Sequence, residues 1–254
     1  MRTTLKITGG TGLTSCLSVR LDQAVKHLRE HGTLPDSLDS SAQFAAFRGN
    51  DGADVSTRIL DPINRASDFT GTTQFDHGWQ YGWYDDIDLP TLSMIGQGVC
   101  FPADGIHADA MIRAKDIRGR CAVLYRGNDK AKEIGRIDYG MMIEMARDTG
   151  YDRFHVQTDE AQFLEAFRRA FPDTTAWDDL PRIRLNTDRY VMPSDADERL
   201  PFARRYLAAT LALAWSNALI MNTGNTGLWA MIYRGHTRNT WQAHGHYNEW
   251  RRLT

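Results

Sequence analysis

Two short segments of this sequence carry residues suited to gripping a phosphate. The first is Arg126-Gly127-Asn128-Asp129-Lys130. An arginine presents a planar fork of donors that can hold two phosphate oxygens, and Lys130 adds a point charge. The second is Asn222-Thr223-Gly224-Asn225-Thr226-Gly227. Its glycines allow the backbone to come close to a ligand. If the turn opens a helix, the free N–H groups and the helix dipole favour an anion there. Thr223, Asn225 and Thr226 add neutral donors. Together the segments would hold a diphosphate without a metal. Each has a bland alternative: Arg126 and Lys130 could sit on a solvated loop, paired with Asp129 and Glu133, and a Gly-Asn-Thr-Gly turn is often only a turn. Their co-occurrence at the ends of strands favours the phosphate reading.

The elements that must position them are legible in the second half. Cys121–Tyr125 reads as a buried strand, and Asp138–Arg147 as a helix with Tyr139, Met142, Ile143 and Ala146 on one face, stopped by Gly150. Phe154–Gln157 is the next strand. Asp159 is placed to cap a helix striped by Phe163, Leu164, Phe167 and Phe171. Ile183–Leu185 is a short third strand. Leu200–Ser216 is a long helix, Ala218–Met221 a strand, and Leu228–Tyr233 the start of a last helix. Strands alternating with helices predict a parallel sheet covered on both faces. Ligands in such sheets bind beyond the carboxyl ends of the strands. The strand ends here are Arg126–Lys130, Thr158-Asp159-Glu160, Asn186-Thr187-Asp188 and Asn222–Gly227, all small, polar or charged. The first half is less regular. Leu5–Ile7 reads as a strand running into a turn at Gly9–Gly12, Val19–His31 as a helix stopped by Gly32, and 35–88 as a polar stretch holding Trp79, Tyr81, Trp83 and Tyr84. The run His236–Trp250 has no metal-ligand spacing and reads as a packing helix or tail.

At these residues the chain resembles the GDP-fucose-dependent fucosyltransferases, the α1,6 enzymes and protein O-fucosyltransferase relatives, over roughly 115–242. Their first motif is a strand ending in Arg-x-x-Asp-Lys, here Val123–Lys130. The second is an apolar strand ending in Thr-Asp-Asp or Thr-Asp-Glu before a helix and an aromatic-Pro pair, here Phe154–Glu160 and Phe171-Pro172. The third is a helix, a strand and a small polar turn, here Tyr206–Ser216, Leu219–Met221 and Thr223–Thr226. The resemblance implies an α/β, GT-B-like fold of two Rossmann-like halves. Residues 1–105 would form a reduced, acceptor-side half, and 106–254 the half that binds the nucleotide-sugar. It implies inverting, metal-independent transfer to a glycan or other hydroxyl acceptor, with GDP-fucose as donor substrate and no cofactor. Arg126 would hold the donor pyrophosphate, with Gly224, Asn225 and Thr226 along it; Lys130, Asp159 and Thr223 complete the expected donor site. The family often has a histidine two residues before the phosphate arginine, where this chain has Leu124. It often carries a guanine-reading acid on the third-motif helix, where this chain has Ala209 and Thr210.

An inverting transfer needs a base near the acceptor hydroxyl. The first half offers Asp39, Asp76 and His77, with the turn at Gly9–Ser15 along the cleft. Each aspartate reads equally as a turn or capping residue. Tyr81, Trp83 and Tyr84 serve as a sugar platform or as core. Three other readings compete. Ile7–Gly12 resembles the start of a short-chain dehydrogenase fingerprint, but Ser15 stands where its third glycine belongs. Asp86-Ile87-Asp88 matches an Asp-x-Asp metal motif, although no buried strand precedes it. A non-catalytic sugar-binding module would use the Trp/Tyr cluster, yet it has no need of phosphate-type strand ends.

The bulk composition fits all of these. The chain has 254 residues, 42 % hydrophobic and 24 % charged, with a formal net charge of -2, which gives no bias toward nucleic acid or membrane surfaces. Cys16, Cys100 and Cys121 are scattered and odd in number, arguing against a disulfide framework or zinc knuckle. No apolar run reaches the ~18 residues of a membrane span. No apolar stretch follows the first residues, so a cytoplasmic location is expected.

Overall fold

A computed structural model describes residues 3–63, 73–128, 130–184 and 191–254. Its centre is a six-stranded sheet in the order β5-β4-β3-β6-β7-β8, with β3 Cys121–Tyr125, β4 Phe154–Thr158, β5 Thr174–Thr175, β6 Ala218–Asn222, β7 Thr240–His244 and β8 Glu249–Arg252. The first five strands are parallel and β8 returns antiparallel. Alternation along the strands explains why both faces are covered. Val123 and Tyr125 of β3 and Ala218 and Ile220 of β6 point into one apolar cluster. That cluster is closed by α6 (Tyr139–Asp148) and α7 (Ala161–Ala170). Ala122, Leu124, Leu219 and Met221 point the other way into a larger cluster.

The larger cluster is built from α1 (Leu13–His31), α3 (Leu89–Val99), α4 (Asp104–Asp116), α8 (Arg199–Ala214) and α9 (Asn225–Arg234). It runs without a break from residues of 1–105 into residues of 106–254. The N-terminal half carries its own two-stranded parallel sheet, β1 (Thr4–Lys6) on β2 (Ser37–Asp39). Two short helices, α2 (Ser56–Ile59) and α5 (Lys130–Ile134), complete the regular elements named here. Among the described residues no helix is long and apolar enough to cross a membrane.

Several expectations are corrected. The run 236–250 is a hairpin of β7 and β8 rather than a helix or tail, because all five β7 residues are buried beside β6. Its Gln242 spends its side chain on Gly82 O (2.8 Å) and Thr223 Oγ1 (3.1 Å), so a polar residue in the strand disguised its burial. Of the strand expected at Ile183–Leu185, the described residues show a bridge from Ile183 to Glu160, and the strand at the edge beside β4 is Thr174–Thr175. Leu185, Asn186, Thr187 and Asp188 lie outside the described residues. Asp159 does not cap α7; Glu160 holds that position without a side-chain cap, and the Asp159 carboxylate is used elsewhere. Helix α1 starts six residues before the expected Val19. Helices α3 and α4 had no expected counterpart; α3 is capped by Asp88, whose carboxylate accepts from Thr91 N–H (3.3 Å).

Gly32 ends α1 in the left-handed region at φ 74°, donating its N–H to Leu28 O (2.8 Å). An added Cβ would meet nothing within 4 Å, so only the backbone conformation disfavours another residue. Gly32→Ala is therefore expected to destabilise the fold by about 1–2 kcal/mol, read as a lowered denaturant midpoint at unchanged m-value. An unchanged midpoint would refute this account of the cap.

Candidate functional site

The chain crosses from one half of the main sheet to the other between β3 and β6. From β3 it runs outward through β4 and β5; then α8 carries it back to β6 on the far side of β3. Strand order reverses there, and the loops after β3 and β6 diverge and leave a crevice, the usual ligand position in an open parallel sheet. The two phosphate-type segments of the sequence are the loops after these strands. Asn222 ties them together. Its Oδ1 accepts from Arg126 N–H and its Nδ2 donates to Arg126 O, each at 2.8 Å.

Arg126 is fixed by both charge and geometry. Its Nε donates to Asp159 Oδ2 at 2.9 Å, and its Nη1 donates to the Tyr206 hydroxyl at 2.7 Å. Tyr206 and Thr226 share a hydrogen bond of 2.9 Å. The second oxygen of Asp159 accepts from Gly127 N–H (3.1 Å). Asp159 is 6 % exposed, so its charge depends on these donors. Gly127 is obligatory. A Cβ there would stand 2.0 Å from Glu160 Oε2 and 2.6 Å from Tyr125 Cε1. Burial pushes the Glu160 carboxyl above its ordinary range, with Arg136 pulling it back.

The turn after β6 opens α9. Gly224 is the N-cap at φ 146°, and the Tyr84 hydroxyl both accepts from its N–H and donates to its carbonyl at 2.8 Å. Asn225 and Thr226 begin the helix. Asn225 Oδ1 accepts from Ser18 Oγ (2.7 Å), and its Nδ2 donates to Gln80 Oε1 (2.6 Å). Thr226 also meets Thr14 Oγ1 at 3.3 Å. Trp229 Nε1 donates to Ser18 Oγ (2.9 Å). Helices α1 and α9 are thus locked together with both N-termini at one place.

That place is an open cavity of about 200 Å³. It is lined by Thr11, Gly12, Thr14 and Ser15 at the start of α1, by His77, Gln80 and Tyr81, and by Arg126, Lys130, Glu133, Asn225 and Thr226. Lys130 is held by Glu133 and by Gln80 Oε1 (3.3 Å), and its stem lies against Gly224. His77 Nε2 meets Ser15 Oγ and Gln80 Nε2, each at 3.1 Å. Two helix dipoles, a guanidinium and an ammonium converge on one space. Such groups are chemically suited to an anion, with Glu133 and Asp159 pairing the two cations in the structure described.

Of the residues expected for the site, Arg126, Lys130, Asn225 and Thr226 line the cavity. Asp159 braces Arg126 from behind and Gly224 caps α9. Thr223 faces away, pairing its N–H and hydroxyl with Ala243 O, both at 3.0 Å, because it continues the β6–β7 ladder. Asp39 and Asp76 are not among the lining residues. Asp39 accepts from Ser41 N–H (3.1 Å), and the Ser41 side chain together with that backbone bond lowers its pKa; Asp76 accepts from Gly78 N–H (2.7 Å) to cap a short 3-10 turn. His77, next to Asp76, is the side chain of that segment that reaches the cavity. Sequence reasoning missed Gln80 and Tyr206. Gln80 sits inside an aromatic run that read as a platform, and Tyr206 is one polar group on an otherwise apolar helix.

A parallel sheet opened at its switch point, with a reduced two-stranded half whose first helix faces it, is the GT-B-like α/β arrangement that the three motifs implied. Compared by sequence, the chain matches no family model and no curated protein. Among solved structures its fold matches NodZ alpha-1,6-fucosyltransferase soaked with GDP-fucose, at TM-score 0.55 and 14% identity, over 92% of this chain and 93% of that one. The same fucosyltransferase co-crystallized with GDP matches at TM-score 0.54 and 14% identity over 92% of each chain. Fucosyltransferase NodZ from Bradyrhizobium matches at 0.54 and 12% over 92% and 93%. The likeness spans nearly the full length of each partner and establishes a fucosyltransferase-like fold.

Proposed function

We propose that this chain is a glycosyltransferase that takes a sugar, fucose, from a GDP-linked donor and passes it to a hydroxyl of a glycan, with inversion and without a metal. The observation that carries the reading is the convergence of both helix N-termini with Arg126 and Lys130 on one cavity at the switch point. A diphosphate placed there would lie across the N–H groups of α9 and α1. Arg126 would neutralise the charge that grows on the leaving diphosphate as the sugar bond breaks, and Lys130 would share it. Such stabilisation replaces what a divalent ion does in other transferases. The Asp-x-Asp segment does other work: Asp86, with its neighbour Asp85, pairs with Arg251, and Asp88 caps α3. The solved neighbours of this fold include one soaked with GDP-fucose and one co-crystallized with GDP, which supports guanosine as the nucleoside.

In this reading residues 106–254 hold the donor, with the start of α1 completing its diphosphate site, and the rest of 1–105 presents the acceptor. His77, which lines the cavity with Arg126, is the candidate for the group that meets an incoming hydroxyl, with Ser15 and Gln80 fixing its ring.

The test is a melting-temperature panel with GDP, UDP, ADP and GDP-fucose, each with Mg²⁺ or with EDTA. GDP is expected to raise the melting temperature equally under both conditions, since a ligand at 100 times its Kd adds about 2.7 kcal/mol. Product anomeric configuration by NMR then reads inversion. A shift seen only with UDP would overturn the donor assignment. A shift lost in EDTA would overturn metal independence, and no shift with any nucleotide would overturn the reading of the cavity.

A further inference from the structure

The strands whose carboxyl ends carry the cavity at Arg126 have a larger recess at their other ends. Arg118 and Gly119 lead into β3, Ser216 and Asn217 into β6, and Arg238 and Asn239 into β7. Five-residue strands separate these turns from the loops after β3 and β6, a distance of at least about 16 Å. Two cavities adjoin here. One, of about 550 Å³, is lined by Met111, Ala114 and Ile117 together with Lys115 and Arg118. The other, of about 380 Å³, is lined by Arg234, His236, Arg238 and Asn239. Trp215, Ser216 and Asn217 line both, so the two meet at the end of α8.

The apolar side chains here are left in water. Trp215, at the C-cap of α8, is 38 % exposed, and Met111 is 52 % exposed. Single exposed apolar residues are ordinary, but these two line the same cavity. Helix α4 turns Ile106, Ala110 and Arg113 inward. His107, Met111 and Lys115 follow one another at four-residue spacing and share another face of it. The Trp215 ring meets that face edge-on at His107, with centroids 5.1 Å apart.

The charge is one-sided. No carboxylate lines either cavity. Arg113, inside α4, is paired by Asp109 and Asp179, whereas Lys115, Arg118, Arg234 and Arg238 have no carboxylate partner among the described residues. Arg234 donates only to carbonyls, those of Ala214 (2.9 Å), Ser216, Asn217 and Arg238 (2.9 Å). Burial, with Arg238 adding to it, brings its pKa down to about 10. A partly buried cation without a counter-ion favours an anion in the space beside it.

We infer that this recess binds a small organic anion: an apolar or aromatic body carrying one carboxylate, sulfonate or phosphate. The larger cavity has the volume of an ordinary small-molecule site. Trp215 and Met111 offer the body an aromatic and a thioether surface. Lys115, Arg118 and Arg238 offer the acidic group an ammonium and two guanidinium forks. The site lies at the opposite end of the strands from the proposed donor site and does not depend on the transfer reaction.

The test is calorimetric titration with decanoate, decyltrimethylammonium and acetate, each kept below any micelle-forming concentration. Decanoate has both head and body; the second probe reverses the charge and the third removes the body. Decanoate is expected to bind, about tenfold or more tighter than either of the others. Lys115→Gln/Arg118→Gln should weaken decanoate about tenfold, and Trp215→Ala should do the same by removing apolar contact. The double variant changes only exposed side chains, so it decides the matter if Trp215→Ala folds poorly. The assignment is overturned if decanoate does not bind, if either other probe binds as tightly, or if the double variant binds decanoate like the wild type. Attachment to phosphatidylglycerol vesicles without binding of free decanoate would also overturn it, making this pole a membrane contact instead.

Discussion

Arg126→Ala is expected to lower donor turnover by about 10²–10³-fold, the usual loss when one charge-stabilising donor is removed from a reacting centre. The loss should fall on kcat more than on KM if the guanidinium acts chiefly on the charge that develops in the transition state. Arg126→Lys should recover little. The native side chain donates through Nε to Asp159 and through Nη1 to Tyr206, and a single ammonium cannot reproduce that fork. Steady-state kinetics well below the melting temperature separates this effect from instability. Near-wild-type turnover in Arg126→Lys would place the guanidinium in a structural role, and the chemistry would then have to be sought at Lys130.

The second large effect is on stability. Asp159→Ala removes the acceptor for both Arg126 Nε and Gly127 N–H. Side-chain exposures of 10% for Arg126 and 8% for Asp159 leave little water to replace it. Breaking a buried pair from one side costs about 3–5 kcal/mol. Denaturant unfolding should show a loss of that size. The double variant Arg126→Met/Asp159→Leu should recover part of it, since both members of the pair are then apolar. A double variant no more stable than Asp159→Ala would mean that packing around Asp159, not its charge, sets the cost.

The parts of the fold that were legible are those where physical pattern and burial agree. The strands expected at Cys121–Tyr125, Phe154–Gln157 and Ala218–Met221 are all buried, the first and last as unbroken apolar runs, so the loops that follow them could be placed as strand ends. Arg126, Lys130, Asn225 and Thr226 followed from that placement. Elements whose burial is carried by polar residues stayed hidden. Strand β7 contains the buried polar residues Thr240, Gln242 and His244, and the last two are bonded to partners distant in sequence, Gly82 O and Tyr81 O. Tyr206 and Gln80 stayed hidden for the same reason: their roles exist only once α8 and the 77–81 turn are brought against β3 and α9. Asp39 and Asp76 are ambiguous for a different reason: each accepts from a backbone N–H two residues on in its own turn, and nothing local distinguishes such a residue from a base.

Helix α9 is buried from Asn225 to Tyr233, and its first turn is pinned by Ser18, Gln80, Tyr84 and Tyr206. The conformational entropy of ordering those groups was therefore lost when the chain folded, not when a ligand arrives. An anion meeting these donors finds dipoles already oriented, so reorganisation takes little from its binding energy. The same burial makes the site a dependent of the core: a residue as remote as Trp229, tethered to Ser18, is part of what aims the helix.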